Sequence, residues 1–229
     1  MESNSARSKE IAHVLTTEKF SPVLKIPAVF VSYIFHPLFI PLIGAWYLTF
    51  VQPGFFAGIS SQEKYFILIR VAYNTIFFPA LTILLLKGLG FIDSIFLRTK
   101  QERIIPYIAA NIFYFWMYLV FRNQDGIPPI LTAFIFGIFL SSSLALLANI
   151  YFKISMHALG VGALTGLMLN VVFSSISYSV FLPAMVIIIL TGVVATARMI
   201  VSDHTPFDIY SGLFIGIVTQ LIAIAFLAL

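Results

Sequence analysis

Along the chain, apolar runs of roughly the ~20 residues needed to cross a bilayer alternate with short polar clusters, and none has the ~10-residue alternation of a membrane β-barrel strand. Seven such runs follow an amphiphilic segment over residues 1–26. They cover residues 27–51, 65–86, 104–121, 130–152, 156–173, 179–200 and 206–229. The first holds Pro37, Pro41 and Gly44, so a kinked helix is expected there, with neighbouring helices satisfying the freed carbonyls. The last opens on Pro206, which suits a first helical turn. The pattern predicts an all-α polytopic bundle over residues 27–229. It has about seven spans, or six if the boundary between the first run and the N-terminal segment hides a re-entrant or surface helix. No solenoid-period repeat, low-complexity tract or separate soluble domain interrupts it.

Composition fixes the class independently. A hydrophobic fraction of 60%, only 10% charged residues and a mean hydropathy of +1.02 cannot make a soluble globular surface. The N-terminal segment mixes Arg7, Lys9, Lys19 and Lys25 with Glu2, Glu10 and Glu18. It lacks the apolar core and small-residue cleavage site of a signal peptide. There are no cysteines, which removes disulfides, thiolate metal sites and cysteine nucleophiles. A pI near 9.3 in so charge-poor a chain reflects a few bases at membrane surfaces and gives no reason to expect nucleic acid as a partner.

The few ionisable groups are unevenly placed. With seven spans, the loops after the second, fourth and sixth emerge on the N-terminal side. They carry Arg98, Lys100 and Arg103, then Lys153, Ser155 and His157, then Arg198, His204 and Asp208. Together they form an electropositive pocket suited to a multiply charged anion, with phosphate or diphosphate the obvious guest. Asp93, Glu102, Asp203 and Asp208 are too dispersed and too close to cations for a Mg²⁺ cage, so a metal-free mechanism fits better. Two histidines allow one to attack phosphorus while the other protonates the leaving oxygen. Asp208, four residues beyond His204, has helical spacing to accept the second ring N–H and fix the tautomer.

These residues resemble the type 2 phosphatidic acid phosphatase superfamily of integral membrane lipid phosphatases. Arg198, His204 and Asp208 reproduce the R-x5-H-x3-D part of its third motif, with Ala197 in place of a serine. Ser155 and His157 keep the Ser-x-His of its second motif, P-S-G-H. Its first motif, K-x6-R-P, is matched only loosely between Arg98 and Pro106, with Lys100 too near Arg103. Two apparent spans also separate the first and second motifs, where the family has a shorter link or an external subdomain. The resemblance covers residues 92–221. It implies a metal-independent phosphatase, requiring no cofactor, acting through a phosphohistidine on His204, with His157 as general acid and Asp208 orienting His204. Arg198, Arg103, Lys100 and Ser155 would bind the phosphate. The substrate would be a phospholipid or polyprenyl phosphate with its tail between spans.

Simpler roles compete. Lys and Arg at span ends are commonly interfacial anchors, and Lys153 is read as one. His36, beside Pro37, is assigned to the kink and left out of the site. Gly160, Gly162 and Gly166 read as close helix packing, and residues 114–118 as lipid-facing surface. The positive-inside rule favours the N-terminal side as cytoplasmic in a bacterial inner (cell) membrane, although many relatives place the active site at the outer face. A non-catalytic relative, an anionic-lipid transporter and a lipid phosphotransferase are the alternatives. Retention of both histidines with Asp208 favours the enzyme.

Overall fold

The computed structural model describes residues 20–95, 99–174, 178–201 and 204–228, and every regular element among them is helical. Helix α1 spans Pro22–Ile34 and α2 spans Ile40–Trp46, extended by a π turn over Tyr47–Val51. Helix α3 runs over Ser61–Gly88, α4 over Lys100–Arg122 and α5 over Pro129–Tyr151. Helix α6 covers Met156–Ser174, α7 Phe181–Val201 and α8 Pro206–Ala228. The six helices α3–α8 are long and apolar enough to cross a bilayer, which makes this an integral membrane protein.

The expected first span over residues 27–51 is not one helix. Pro37 pushes the preceding residue out of the α region and has no N–H of its own, so α1 ends at Ile34 and the chain turns before α2. At ~1.5 Å per residue the 13 residues of α1 reach only about 20 Å, short of the ~30 Å hydrocarbon core. Among the described residues the count is therefore six spans. In α3 the chain absorbs Pro79 differently: a π turn over Tyr73–Phe77 lies where the missing N–H would leave the helix ladder open, and the span continues.

The core is built around α5 and α6. Their apolar windows are 61% and 72% buried inside the protein, against 22–33% for the other four spans, whose remaining surface is left for lipid. Four glycines set the closest packing, between α6 and α8. A Cβ added at Gly162 would lie 2.5 Å from the Leu213 carbonyl oxygen, and one at Gly166 2.8 Å from that of Ile217. One at Gly212 would lie 2.8 Å from the Ser155 carbonyl oxygen, and one at Gly216 would strike the Leu159 carbonyl. The two backbones touch along a small-residue seam, as packing between membrane helices favours. Gly160 belongs to a second seam, facing Ile40 of α2. Residues 114–118 are not the plain lipid-facing surface expected: Tyr114, Met117 and Tyr118 are buried, and only Phe115 and Trp116 face outward. Tyr118 stacks on Phe136 at 4.5 Å, an aromatic contact between α4 and α5 that outweighs the local run of rings.

The α6–α8 seam matters because it fixes two helix starts side by side. Gly212 sits against the Ser155 carbonyl, and the Ser155 N–H donates to the Asp208 carbonyl at 3.1 Å. The N-termini of α6 and α8 are thereby held in register at one end of the bundle.

Candidate active site

Three segments meet at that end, as the sequence leads one to expect. Arg103, one turn into α4, donates from Nη1 to the Ile154 carbonyl at 3.3 Å, tying α4 to the α5–α6 loop. The Ser155–Asp208 bond ties that loop to the start of α8. Thr99 and Glu102 form a reciprocal capping box that sets the start of α4 and so the position of Arg103. Lys100 is the first residue of that helix, but its side chain, like the whole of Arg98 and Asp203, lies outside the described residues.

His204 stands just before α8. Its Nδ1 is 3.9 Å from Asp208 Oδ2, within ion-pair reach but beyond a hydrogen bond, so the direct bond read from the four-residue spacing is not formed here. The carboxylate is engaged by backbone instead. Oδ2 accepts from the Thr205 N–H at 2.8 Å while the Asp208 N–H donates to Thr205 Oγ1 at 3.3 Å, a second capping box. Asp208 therefore starts α8 and faces the imidazole at once. No described group is hydrogen-bonded to His204 Nδ1.

The His204 side chain is only 5% exposed. Burial first, then the charges of Arg103, Arg198 and Lys153, pushes its pKa from 6.5 down to about 4, with Asp208 pulling the other way. The ring is neutral at physiological pH and keeps a lone pair for nucleophilic attack. Lys153, read from the sequence as an anchor, is one of the charges acting on it.

His157 opens α6, and its environment contains two residues that the sequence reading left out. Its Nε2 lies 3.1 Å from the Ser32 carbonyl oxygen of α1. A carbonyl can only accept, so Nε2 carries the proton and Nδ1 is the free lone pair. The His36 ring stands edge-on to the His157 ring with centroids 5.5 Å apart, and burial and Arg198 hold His36 below the usual histidine range. Arg198, near the end of α7, donates from Nη1 to Ser32 Oγ at 3.2 Å. The one available signal for His36 was an ionisable residue beside a proline in an apolar run, which inside a membrane points to function before structure. Ser32 had no such signal.

Ser155 is fully buried, and its Oγ is 3.5 Å from the Ala158 N–H, the position of a helix N-cap. Its hydroxyl hydrogen is not used by that contact. A narrow apolar cleft of about 40 Å³ runs beside the start of α6, lined by Pro37, Pro41, Tyr114, Ser142, Met156 and Gly160. It lies between α2, α4, α5 and α6, and Pro37 and Met156 in its lining are the chain neighbours of His36 and His157.

Cationic side chains, His157, His204 and a carboxylate thus share one end of a membrane bundle, with an apolar cleft next to them. Such an arrangement can hold a phosphate and present a neutral imidazole to it. No protein-family model, curated protein or solved structure matches the chain.

Proposed function

We propose that the protein is a metal-independent lipid phosphatase of the type 2 phosphatidic acid phosphatase kind, releasing phosphate from a phospholipid or polyprenyl phosphate. The observation that carries the reading is the environment of His204: a buried, neutral imidazole under the fields of Arg103, Arg198 and Lys153, with Asp208 at 3.9 Å from Nδ1. A ring buried only for packing would not need three cations around it. A site that only bound anions would not need the imidazole.

In the proposed reaction the arginines draw the phosphoryl oxygens to His204, and Asp208 favours a proton on Nδ1, leaving Nε2 free. Nε2 attacks phosphorus and the bond to the leaving oxygen breaks. Nδ1 of His157, the lone pair that Ser32 does not hold, takes the proton of the substrate's phosphate monoanion and passes it to that oxygen. Water then attacks the phosphohistidine, the P–N bond breaks, His157 takes the water's proton and inorganic phosphate departs. General acid catalysis of this kind contributes about 10²–10⁴-fold. Lys100 supplies further positive charge to the phosphate in the proposal, and the tail enters beside Pro37 and Met156. The bilayer is a bacterial inner membrane with this face cytoplasmic in the proposal, following the positive-inside rule.

The test is phosphate release by the detergent-solubilised protein from phosphatidic acid, phosphatidylglycerophosphate and undecaprenyl diphosphate, in excess chelator, beside His204→Ala. Chelator-resistant release that vanishes in the variant is the expected result. Folded protein that releases phosphate from none of them would remove the hydrolase reading and leave a phosphotransferase, a transporter or a non-catalytic relative.

A further inference from the structure

We propose that Ser32, on the broken N-terminal helix, is a positioning residue that holds both Arg198 and His157 in the anion site. The proposal rests on the reading of that site as one for phosphate, and it adds a wall the sequence motifs do not contain.

The break in the helix is what makes Ser32 able to do this. In a continuous helix the Ser32 carbonyl would accept from the N–H four residues on, that of His36. Pro37 ends α1, and the His36 N–H turns to the Tyr33 carbonyl instead, at 3.4 Å. The Ser32 carbonyl is thus one of the orphan acceptors of a helix C-terminus, and His157 Nε2 at 3.1 Å satisfies it. The bond fixes which nitrogen of His157 is protonated, and with it which nitrogen exchanges a proton with substrate.

The side chain does a second job. Ser32 Oγ donates its only hydrogen to the Ala28 carbonyl at 2.9 Å, so toward Arg198 it can only accept. Nη1 of Arg198 meets that lone pair at 3.2 Å. A hydroxyl is a neutral acceptor and orients the guanidinium without cancelling its charge, as a carboxylate in the same place would. Ser32 is 7% exposed, so both bonds lie away from competing water. α1 packs along α7, the helix that carries Arg198, which keeps Ser32 in place.

The test uses full-length protein in detergent and inorganic phosphate as the probe, with affinity read from the rise of the thermal midpoint with phosphate concentration. Ser32→Ala is expected to weaken phosphate binding at least about tenfold, the loss of one hydrogen bond to a charged group. Ser32→Thr keeps the hydroxyl and is expected within about twofold of the parent. In an Arg198→Ala background, Ser32→Ala should have almost no further effect, because the two residues act through one bond. Ser32→Cys, close in shape but a poor acceptor, should weaken binding as alanine does and serves if the alanine variant does not fold. Phosphate binding by the parent with no change in Ser32→Ala or Ser32→Cys, or an equal loss with and without Arg198, would overturn the role of Ser32 and leave the phosphate site standing. A parent midpoint indifferent to phosphate would overturn both.

Discussion

The titration of His204 is open to direct measurement, whatever the protein turns over. An ordinary histidine with a pKa of 6.5 is about 3% neutral at pH 5, whereas one at about 4 is about 90% neutral, so the two differ about 30-fold in reactive ring. Diethyl pyrocarbonate modifies only the neutral imidazole, and peptide mapping after short exposures separates His204 from the other three histidines. The His204 labelling rate should stay level from pH 8 to pH 5 and fall only toward pH 4. Arg103→Gln should move the midpoint upward, but only part of the way to 6.5, because burial is the larger cause and the charges of Arg198 and Lys153 remain. The same shift has a consequence for stability. Below pH 6.5 the unfolded chain takes up a proton that folded His204 refuses, so this residue's contribution is intact above 6.5 and lost as pH falls toward 4. A labelling midpoint near 6.5 would refute the buried, cation-flanked environment on which the nucleophile assignment depends.

Two further expectations concern the elements that hold the site. Gly216→Ala places a methyl against the Leu159 carbonyl and 2.7 Å from the Ala163 nitrogen, neither of which can move aside, whereas Gly192→Ala on α7 meets nothing within 4 Å. Overpacking of about 1–3 kcal/mol against a helix-propensity gain of about 1 kcal/mol leaves Gly216→Ala destabilised and Gly192→Ala neutral or better. Tryptophan-fluorescence melts in detergent check the pair, and equal midpoints would mean that α6 and α8 do not touch at Gly216. Thr205→Ala removes a helix cap and should cost about 1 kcal/mol of stability with phosphate release per folded molecule retained. Asp208→Asn should instead lower release at least about 10²-fold, since it removes the only carboxylate facing the His204 ring among the described residues.

Much of the fold could be read from hydropathy because a bilayer demands long apolar runs, and six of the seven runs became spans. The failure over residues 27–51 has a physical cause. Hydropathy is blind to the backbone, and Pro37 turns one apolar run into two short helices. Spacing placed Asp208 beside His204, since four residues make one helical turn at any depth. It could not reveal that Thr205 would claim the carboxylate through a capping box. Arg103 and Arg198 came from their positions at span ends, and the loop order brought them to one face. Ser32 and His36 were hidden because their contacts are with residues more than a hundred positions away, a distance closed by the packing of α1 against α7 and of α2 against α6. Lys153 was assigned to lipid for the same reason, as nothing in its own loop shows the imidazole its charge acts on.

The central claim is a phosphoryl group carried on His204, and the most direct measurement is to trap it. Protein turning over a lipid phosphate labelled on its terminal phosphorus is quenched in alkali, which preserves phosphohistidine, and its peptides are mapped. Label on the His204 peptide that is lost on brief acid treatment, and absent from His204→Ala, is the predicted result. Turnover with no labelled peptide, or with the label on another residue, would contradict it.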